Sequence, residues 1–389
     1  MQYQLIEDSL SLQTLCQQYS KADVLAIDTE FVRTRTLYPR LGLLQVFDGK
    51  QLALIDPIAI NDLSPFWQLL TDKSITKVLH ACSEDLEVFL TGGKCRPVNL
   101  IDSQIMMSFL GYGLSMGYAA MIKHFTGIEL DKSESRTDWT KRPLTEKQLT
   151  YASADVEHLF NIFPKLVDQI EQAGWFEQAK QETELLITKK FTPLNENELY
   201  RKIKLAWRLN PKQLNSLQHL AKWRYQQAKK RDLPIGFVAK DHTLMALAQA
   251  NPTDLATMNT LSGAEMLDIR HKGKVMLTVL KQASQNSEAN YPDEIQRLDE
   301  YPNYKQTFKK VKTFIVTTAE QHNLAVENIA SKKQINQFLT WQFNLNGING
   351  ENANTNIESN PIHTVDLLIG WRNELLGKAL RKFADNDFQ

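Results

Sequence analysis

Three short stretches hold residue types that could do chemistry. The first, Ile27-Asp28-Thr29-Glu30-Phe31, closes an apolar run (VLAID, 24–28) that reads as a buried strand. A strand period of two puts Asp28 and Glu30 on one face, where two carboxylates raise each other's pKa and need a cation close by at neutral pH. A bound ion would serve, and so would an acidic strand end that opens to solvent or pairs with Arg33 or Arg35. The second stretch, His80-Ala81-Cys82-Ser83-Glu84-Asp85-Leu86-Glu87, follows another apolar run and opens a helix, with Ser83 as the expected N-cap. Acidic residues in a first helical turn are favoured by the helix dipole whatever the function, so Asp85 alone says little. The third, Tyr151-Ala152-Ser153-Ala154-Asp155, sits in a helical pattern. Its spacing of four places the phenol and the carboxylate on the same face. An aspartate in the middle of an otherwise apolar helical face is poorly placed for folding and invites a ligand.

The elements that must position these residues follow from the apolar pattern. Up to about residue 100, short apolar runs at 24–28, 42–47, 52–56 and 76–81 alternate with helical stretches, which is α/β patterning. Asp48-Gly49 between the second and third of these runs is a hairpin signal, so the sheet is expected to be mixed. Beyond Leu100 the pattern turns helical, and a long helix is expected from Thr145 to about Ile170, preceded by a polar loop over 129–143. Past Gly174 the chain reads as helices only, broken at Thr192-Pro193 and restarted at Asn210-Pro211. One compact unit spans 211–284, and another begins near Tyr301-Pro302. The segment 344–360, with seven Asn in seventeen residues, is expected as a surface insertion.

With 389 residues, 42% hydrophobic and 23% charged, the chain has the composition of a folded protein of two or three domains, which excludes a disordered chain. Cys16, Cys82 and Cys95 show no Cys-x-x-Cys spacing, so neither a disulfide framework nor a cysteine metal site is expected. The start, MQYQLIEDSL, lacks the features of a secretory signal, which leaves the cytoplasm as the expected compartment. Ser103–Ile122 is uncharged, but its glycines and polar residues favour two short buried helices over a membrane span. The net charge of zero divides unevenly: residues 1–175 carry 16 basic against 22 acidic groups and residues 176–389 carry 29 against 23. Within 201–240, eleven basic residues, among them Lys229, Lys230 and Arg231, face a single acid, Asp232, which points to a polyanion as partner.

Taken together, the three motifs resemble the DEDD exonuclease superfamily, in its tyrosine branch, because Tyr151 precedes Asp155 by four and position 150 is Thr, with no histidine five before. The longer stretches IDTEFVRTRTLYPRLGLLQV and DWTKRPLTEKQLTYASADVEHL are similar to the ribonuclease D family, and residues 211–284 to its helical HRDC module. The resemblance implies a ribonuclease-H-like mixed-sheet α/β exonuclease domain (1–175), a helical linker (176–209), an all-α HRDC domain (210–290) and a second, divergent HRDC-like domain (296–385). It implies a 3′–5′ exoribonuclease that trims RNA 3′ ends, tRNA precursors above all, and releases 5′-mononucleotides as a monomer. Four carboxylates without His or Cys suit Mg²⁺ or Mn²⁺, two ions per site. By the same carry-over Asp28 bridges both ions, Glu30 and Asp155 complete the nucleophile's site, Asp85 helps hold the second ion, and Tyr151 orients the water. Phe31 and Arg142 are candidate nucleotide contacts, beside Lys229, Lys230 and Arg231. A DNA exonuclease and a non-catalytic nucleic-acid scaffold are the alternative readings.

Overall fold

The computed structural model describes residues 2–131, 133–345 and 365–389. Six strands, β1 (Tyr3–Ile6), β2 (Val24–Val32), β3 (Arg40–Phe47), β4 (Leu52–Ile55), β5 (Thr76–Leu79) and β6 (Leu100–Asp102), form one sheet in the order β1-β4-β3-β2-β5-β6. The sheet is mixed as expected: β2–β3 and β3–β4 are antiparallel, whereas β1–β4, β2–β5 and β5–β6 are parallel. Asp48-Gly49 turns β3 into β4, with Gly49 at φ +87°, a conformation that costs glycine nothing. The three-residue β6 lay beyond the sequence pattern, being too short to show a period.

Helices α1 (Ser9–Tyr19), α2 (Ser64–Thr71) and α3 (Ser83–Val88) connect the strands, and α4 (Ser103–Phe109) and α5 (Tyr118–Thr126) are the two short helices expected after residue 102. The long α6 (Glu146–Gln172) starts at the Thr145/Gln148 capping box and lays a stripe of Leu149, Ala152, Val156, Leu159 and Leu166 on the sheet. Among the described residues no helix is long and apolar enough to cross a membrane.

Helix α7 (Phe176–Phe191) was expected within the linker. Its Ile187 is fully buried beneath one sheet face and its Ala179 joins the core of the other, so the nuclease body runs on to Phe191. A middle module of α8 (Pro211–Arg231), α9 (Ile235–Val238), α10 (Asp241–Ala250), α11 (Leu255–Asn259) and α12 (Met266–Ala283) has a core of its own. The last module is built from α13 (Tyr304–Gln321), α14 (Val326–Ile329), α15 (Lys332–Gln342), α16 (Gly370–Arg372) and α17 (Lys378–Asp385). Its core runs without a break into that of α4 and α6. Phe109 meets Trp371 edge-on at 5.3 Å, Asn328 Nδ2 donates to the Ser108 carbonyl at 2.6 Å, and Arg372 pairs with Glu182. Most of the Asn-rich segment 344–360 lies outside the described residues.

The described residues of the polar stretch before α6 form no helix or strand, and what holds them is long-range. Arg142, expected as a phosphate contact, is fully engaged within the protein. Nε and Nη2 grip the Asp56 carboxylate at 2.5 and 2.6 Å, and the remaining N–H groups donate to the carbonyls of Gly42, Trp139 and Lys141 at 2.7–2.9 Å. All five guanidinium donors are used, so none is left for RNA. Burial pushes the Asp56 carboxyl up, but hydrogen bonds from Arg142 and the Ile58 amide outweigh it and hold the group below its usual range. The same clamp seats the buried Trp139 against Gly42, where a Cβ would lie 2.6 Å from the Trp139 carbonyl.

Replacing Arg142 by Ala would strand the buried Asp56 charge. The expected loss is about 3–5 kcal/mol of unfolding free energy, measured by urea titration at neutral pH; a loss under about 1 kcal/mol would mean that the pair is a surface one.

Candidate active site

The site forms where the central strand β2 meets α6. Asp28 and Glu30 project from one face of β2, and a bulge between Glu30 and Phe31 ends the regular pairing with β3 beside them. Asp155 faces them from the buried stripe of α6. Ligand oxygens of Asp28, Glu30 and Asp155 all lie within 4.8 Å of one another.

Asp85 stands just outside this trio. Its carboxylate accepts the Thr29 hydroxyl, and the charge on Asp28 raises its proton affinity further, after burial. Tyr151 lies one turn before Asp155, and its ring centroid is 6.1 Å from that of Trp139. The clamp on the loop therefore also braces the phenol.

No lysine or arginine pairs with these four carboxylates among the described residues. Arg33, a candidate partner of the strand-end acids, turns instead to Glu84 and Glu87 at 3.4 and 3.0 Å. The electrostatic result is large. Burial, and then repulsion from Asp155, pushes Asp28 up to about 8. Burial and the other three acids push Glu30 to about 10, and burial pushes Asp155 to about 7. Asp85 is raised by burial and Asp28, and Tyr151 by burial followed by Asp155, Glu30 and Asp28. A cluster of oxygen donors this close and this short of positive charge fits hard divalent cations and, lacking His and Cys, does not fit zinc.

Several supporting residues gave no signal in the sequence. Ser83 is not the N-cap of α3; the cap is Cys82, without a side-chain bond. The turn is held instead by Asp102, whose two oxygens accept the amides of Ala81 and Cys82 at 2.9 Å each, with Ala81 at φ 55°. Thr29 fixes Asp85, and the Tyr118 hydroxyl donates to the Asp155 carbonyl. Each of these partners is more than 18 residues away along the chain, beyond the reach of any local pattern. Phe31 is half-buried against the core on the side of Leu41. Lys229, Lys230 and Arg231 form the exposed last turn of α8, Lys229 pairing with Glu196 at 3.2 Å. The next residue, Asp232, accepts the amides of Leu37 and Tyr38 at 3.0 Å each, which brings this basic turn to the β2–β3 loop.

Comparison with known proteins agrees with this arrangement. A family described as 3′–5′ exonuclease matches residues 3–171, HRDC domain matches 213–280, and Ribonuclease D, C-terminal HRDC domain, matches 302–380. The chain is 42% identical to ribonuclease D of Serratia proteamaculans over 98% of each chain, and equally so to that of Escherichia coli K12. It superposes on the crystal structure of Escherichia coli RNase D, described as an exoribonuclease involved in structured RNA processing, with a TM-score of 0.92 at 41% identity over 100% of both chains.

Because the folded-state values of Asp155, Asp28 and Glu30 lie above the ordinary carboxylate range, the metal-free native state holds protons that the unfolded chain has released. This contribution to stability is whole below about pH 4 and is lost as pH rises through about 7, 8 and 10. In chelator the melting temperature should fall between about pH 5 and pH 8.5, and Mg²⁺ should restore it with a larger gain at the higher pH. Calorimetry on Asp28→Asn should show a shallower alkaline loss and little gain from Mg²⁺. An equal gain at both pH values would contradict a cation held by these carboxylates.

Proposed function

The chain belongs to the ribonuclease D family and is a 3′–5′ exoribonuclease of a superfamily that uses divalent metal ions, and from that premise we propose that Asp28, Glu30, Asp85, Asp155 and Tyr151 carry its catalysis. The observation behind the proposal is the convergence of carboxylates that pair with no cation among the described residues, beside a phenol. Asp28, Glu30 and Asp155 would hold one ion, and Asp28 with Asp85 the other. When bound, Mg²⁺ or Mn²⁺ supplies Lewis acidity at the scissile phosphate and acidifies the attacking water.

The chain's own groups do the positioning. Tyr151 keeps its proton at neutral pH, because burial and the carboxylates raise its pKa, so it orients the water as a hydrogen-bonding phenol and does not act as a free base. Thr29 and Asp102 hold Asp85 and its turn in place, and Phe31 offers its outer face to the terminal base. The nuclease domain, expected over 1–175, extends through α7 to Phe191, while 210–290 and 296–385 grip RNA. The basic last turn of α8 supplies phosphate contacts that the acidic site cannot, and Asp232 keeps that turn at the rim. The RNA we assign is a structured precursor with a 3′ extension, such as a tRNA, processed in the cytoplasm by a monomer to 5′-mononucleotides.

Tyr151→Phe should lower turnover on a 3′-extended tRNA by roughly 10²–10⁴ without weakening RNA binding, and Asp28→Asn should lower it further. Mg²⁺ and Mn²⁺ titrations of RNA beside single-stranded DNA, with product analysis, provide the check; DNA degraded as fast as RNA would favour the DNA exonuclease, and unaltered turnover in Tyr151→Phe would remove the phenol from the mechanism. Reversing Lys230 and Arg231, which carry no ion pair among the described residues, should raise KM and lower the slope of log affinity against log salt by about two.

A further inference from the structure

Gln45 lies within β3, between Asp28 on β2 and Leu54 on β4. Residues directly opposite one another on neighbouring strands point to the same face, with Cβ atoms roughly 4.5–5.5 Å apart, so the Gln45 side chain stands beside Asp28 on the face that α6 covers. Leu43 and Phe47, its same-face neighbours on β3, and Leu54 all belong to the core under α6. Gln45 is fully buried there, and neither its Oε1 nor its Nε2 has a hydrogen-bond partner. Among the described residues no other side chain leaves two polar atoms buried in this way. The fold treats other buried polar groups differently: Lys77 donates to the carbonyls of Asp72 and Ile75 at 2.5 and 2.8 Å, Asp102 takes the amides of Ala81 and Cys82, and Asp56 takes Arg142. A methionine would fill the Gln45 position without the cost of drying an amide.

The functional group this amide can serve is Asp28. That carboxylate accepts the Thr29 amide, and with about four acceptor positions a carboxylate can hold ions and still take a further donor. The donor has to be uncharged. A lysine or arginine here would neutralise the cluster and compete with the cations, whereas an amide orients the carboxylate and leaves its charge to them. We propose that Gln45 is a positioning residue of the catalytic site: its Nε2 donates to the Asp28 carboxylate when that carboxylate holds cations, and thereby sets the direction of the Asp28 oxygens. This inference deepens the reading of Asp28 as a metal ligand and rests on it, and the experiment distinguishes the two.

The test uses the full chain carrying Gln45→Met, which keeps the length of the side chain and removes both polar atoms, with Asp28→Asn as the reference. Melting is followed in chelator, Mn²⁺ affinity is measured by titration calorimetry without RNA, and kcat and KM are measured on a 3′-extended tRNA in Mn²⁺ below saturation. Gln45→Met should bind Mn²⁺ about 10–100-fold more weakly, the usual cost of losing a partner that orients a metal ligand. It should lower kcat at that Mn²⁺ concentration with KM for RNA unchanged. In chelator it should melt at or above the parent's temperature, since an unpartnered amide has left the core. A residue that only packs gives the opposite pattern, a lower metal-free melting temperature with unaltered Mn²⁺ affinity, and that result would overturn the proposal. A loss of affinity in a variant that already melts below the parent in chelator would mean loosened packing and overturn it likewise. Gln45→Asn, which keeps the amide but draws it back by a methylene, carries the comparison should Gln45→Met not fold: weaker Mn²⁺ binding supports the proposal and parental affinity overturns it. Parental Mn²⁺ affinity in Asp28→Asn would instead strike at Asp28 as a metal ligand, whatever Gln45 does.

Discussion

The mutual repulsion of four carboxylates crowded at the junction of β2, α3 and α6 is the constraint to which the surrounding structure answers. Left alone, such a cluster would pull protons from water at neutral pH or push its members apart. Among the described residues the fold brings no arginine into the cluster, and it leaves the strand end only partly open to solvent. Arg33, the nearest cation in sequence, is drawn off to Glu84 and Glu87. The neutralising charge is thereby reserved for ligands from outside the chain, and the rigid framework keeps the oxygens close enough to need it.

That framework is made of hydrogen bonds to backbone amides and of packed rings. Asp102 ties down the turn before α3, Thr29 takes one oxygen of Asp85, and Tyr118 takes the Asp155 carbonyl. On the far side, the Arg142–Asp56 clamp seats Trp139 under Gly42, and Trp139 in turn backs Tyr151. A loop that reads as polar and featureless is thus what backs the phenol, so damage to a buried ion pair between residues 86 apart in sequence is transmitted to the chemistry.

The parts of this that were legible in the sequence are those with a local period. Alternation put Asp28 and Glu30 together, a spacing of four put Tyr151 with Asp155, and the Asp48-Gly49 turn announced a mixed sheet. Asp85 could not be told from any acid in a first helical turn without the family resemblance. Ser83 was misjudged because a serine before a helix is a cap in most settings, whereas here an aspartate from β6 does the anchoring. Arg142 misled for a related reason: an arginine in a polar loop looks free until the carboxylate that binds it, far off in the chain, is known. The nuclease body outran its expected end because α7 is amphipathic like any linker helix, and only the folded sheet shows which surface its Ile187 seals.

The three bodies are not joined alike. The last module shares one continuous core with α4 and α6, while the middle module keeps its core to itself and reaches the catalytic rim through the Asp232 carboxylate and two amides. Parting the first junction would wet a broad oily seam; the second, among the described residues, includes the directional bonds of Asp232 and the Arg297 guanidinium over the Trp207 ring, 4.1 Å from its centroid. The nuclease body and the last module must therefore melt together as one cooperative unit, whereas the middle module has a core that can hold by itself.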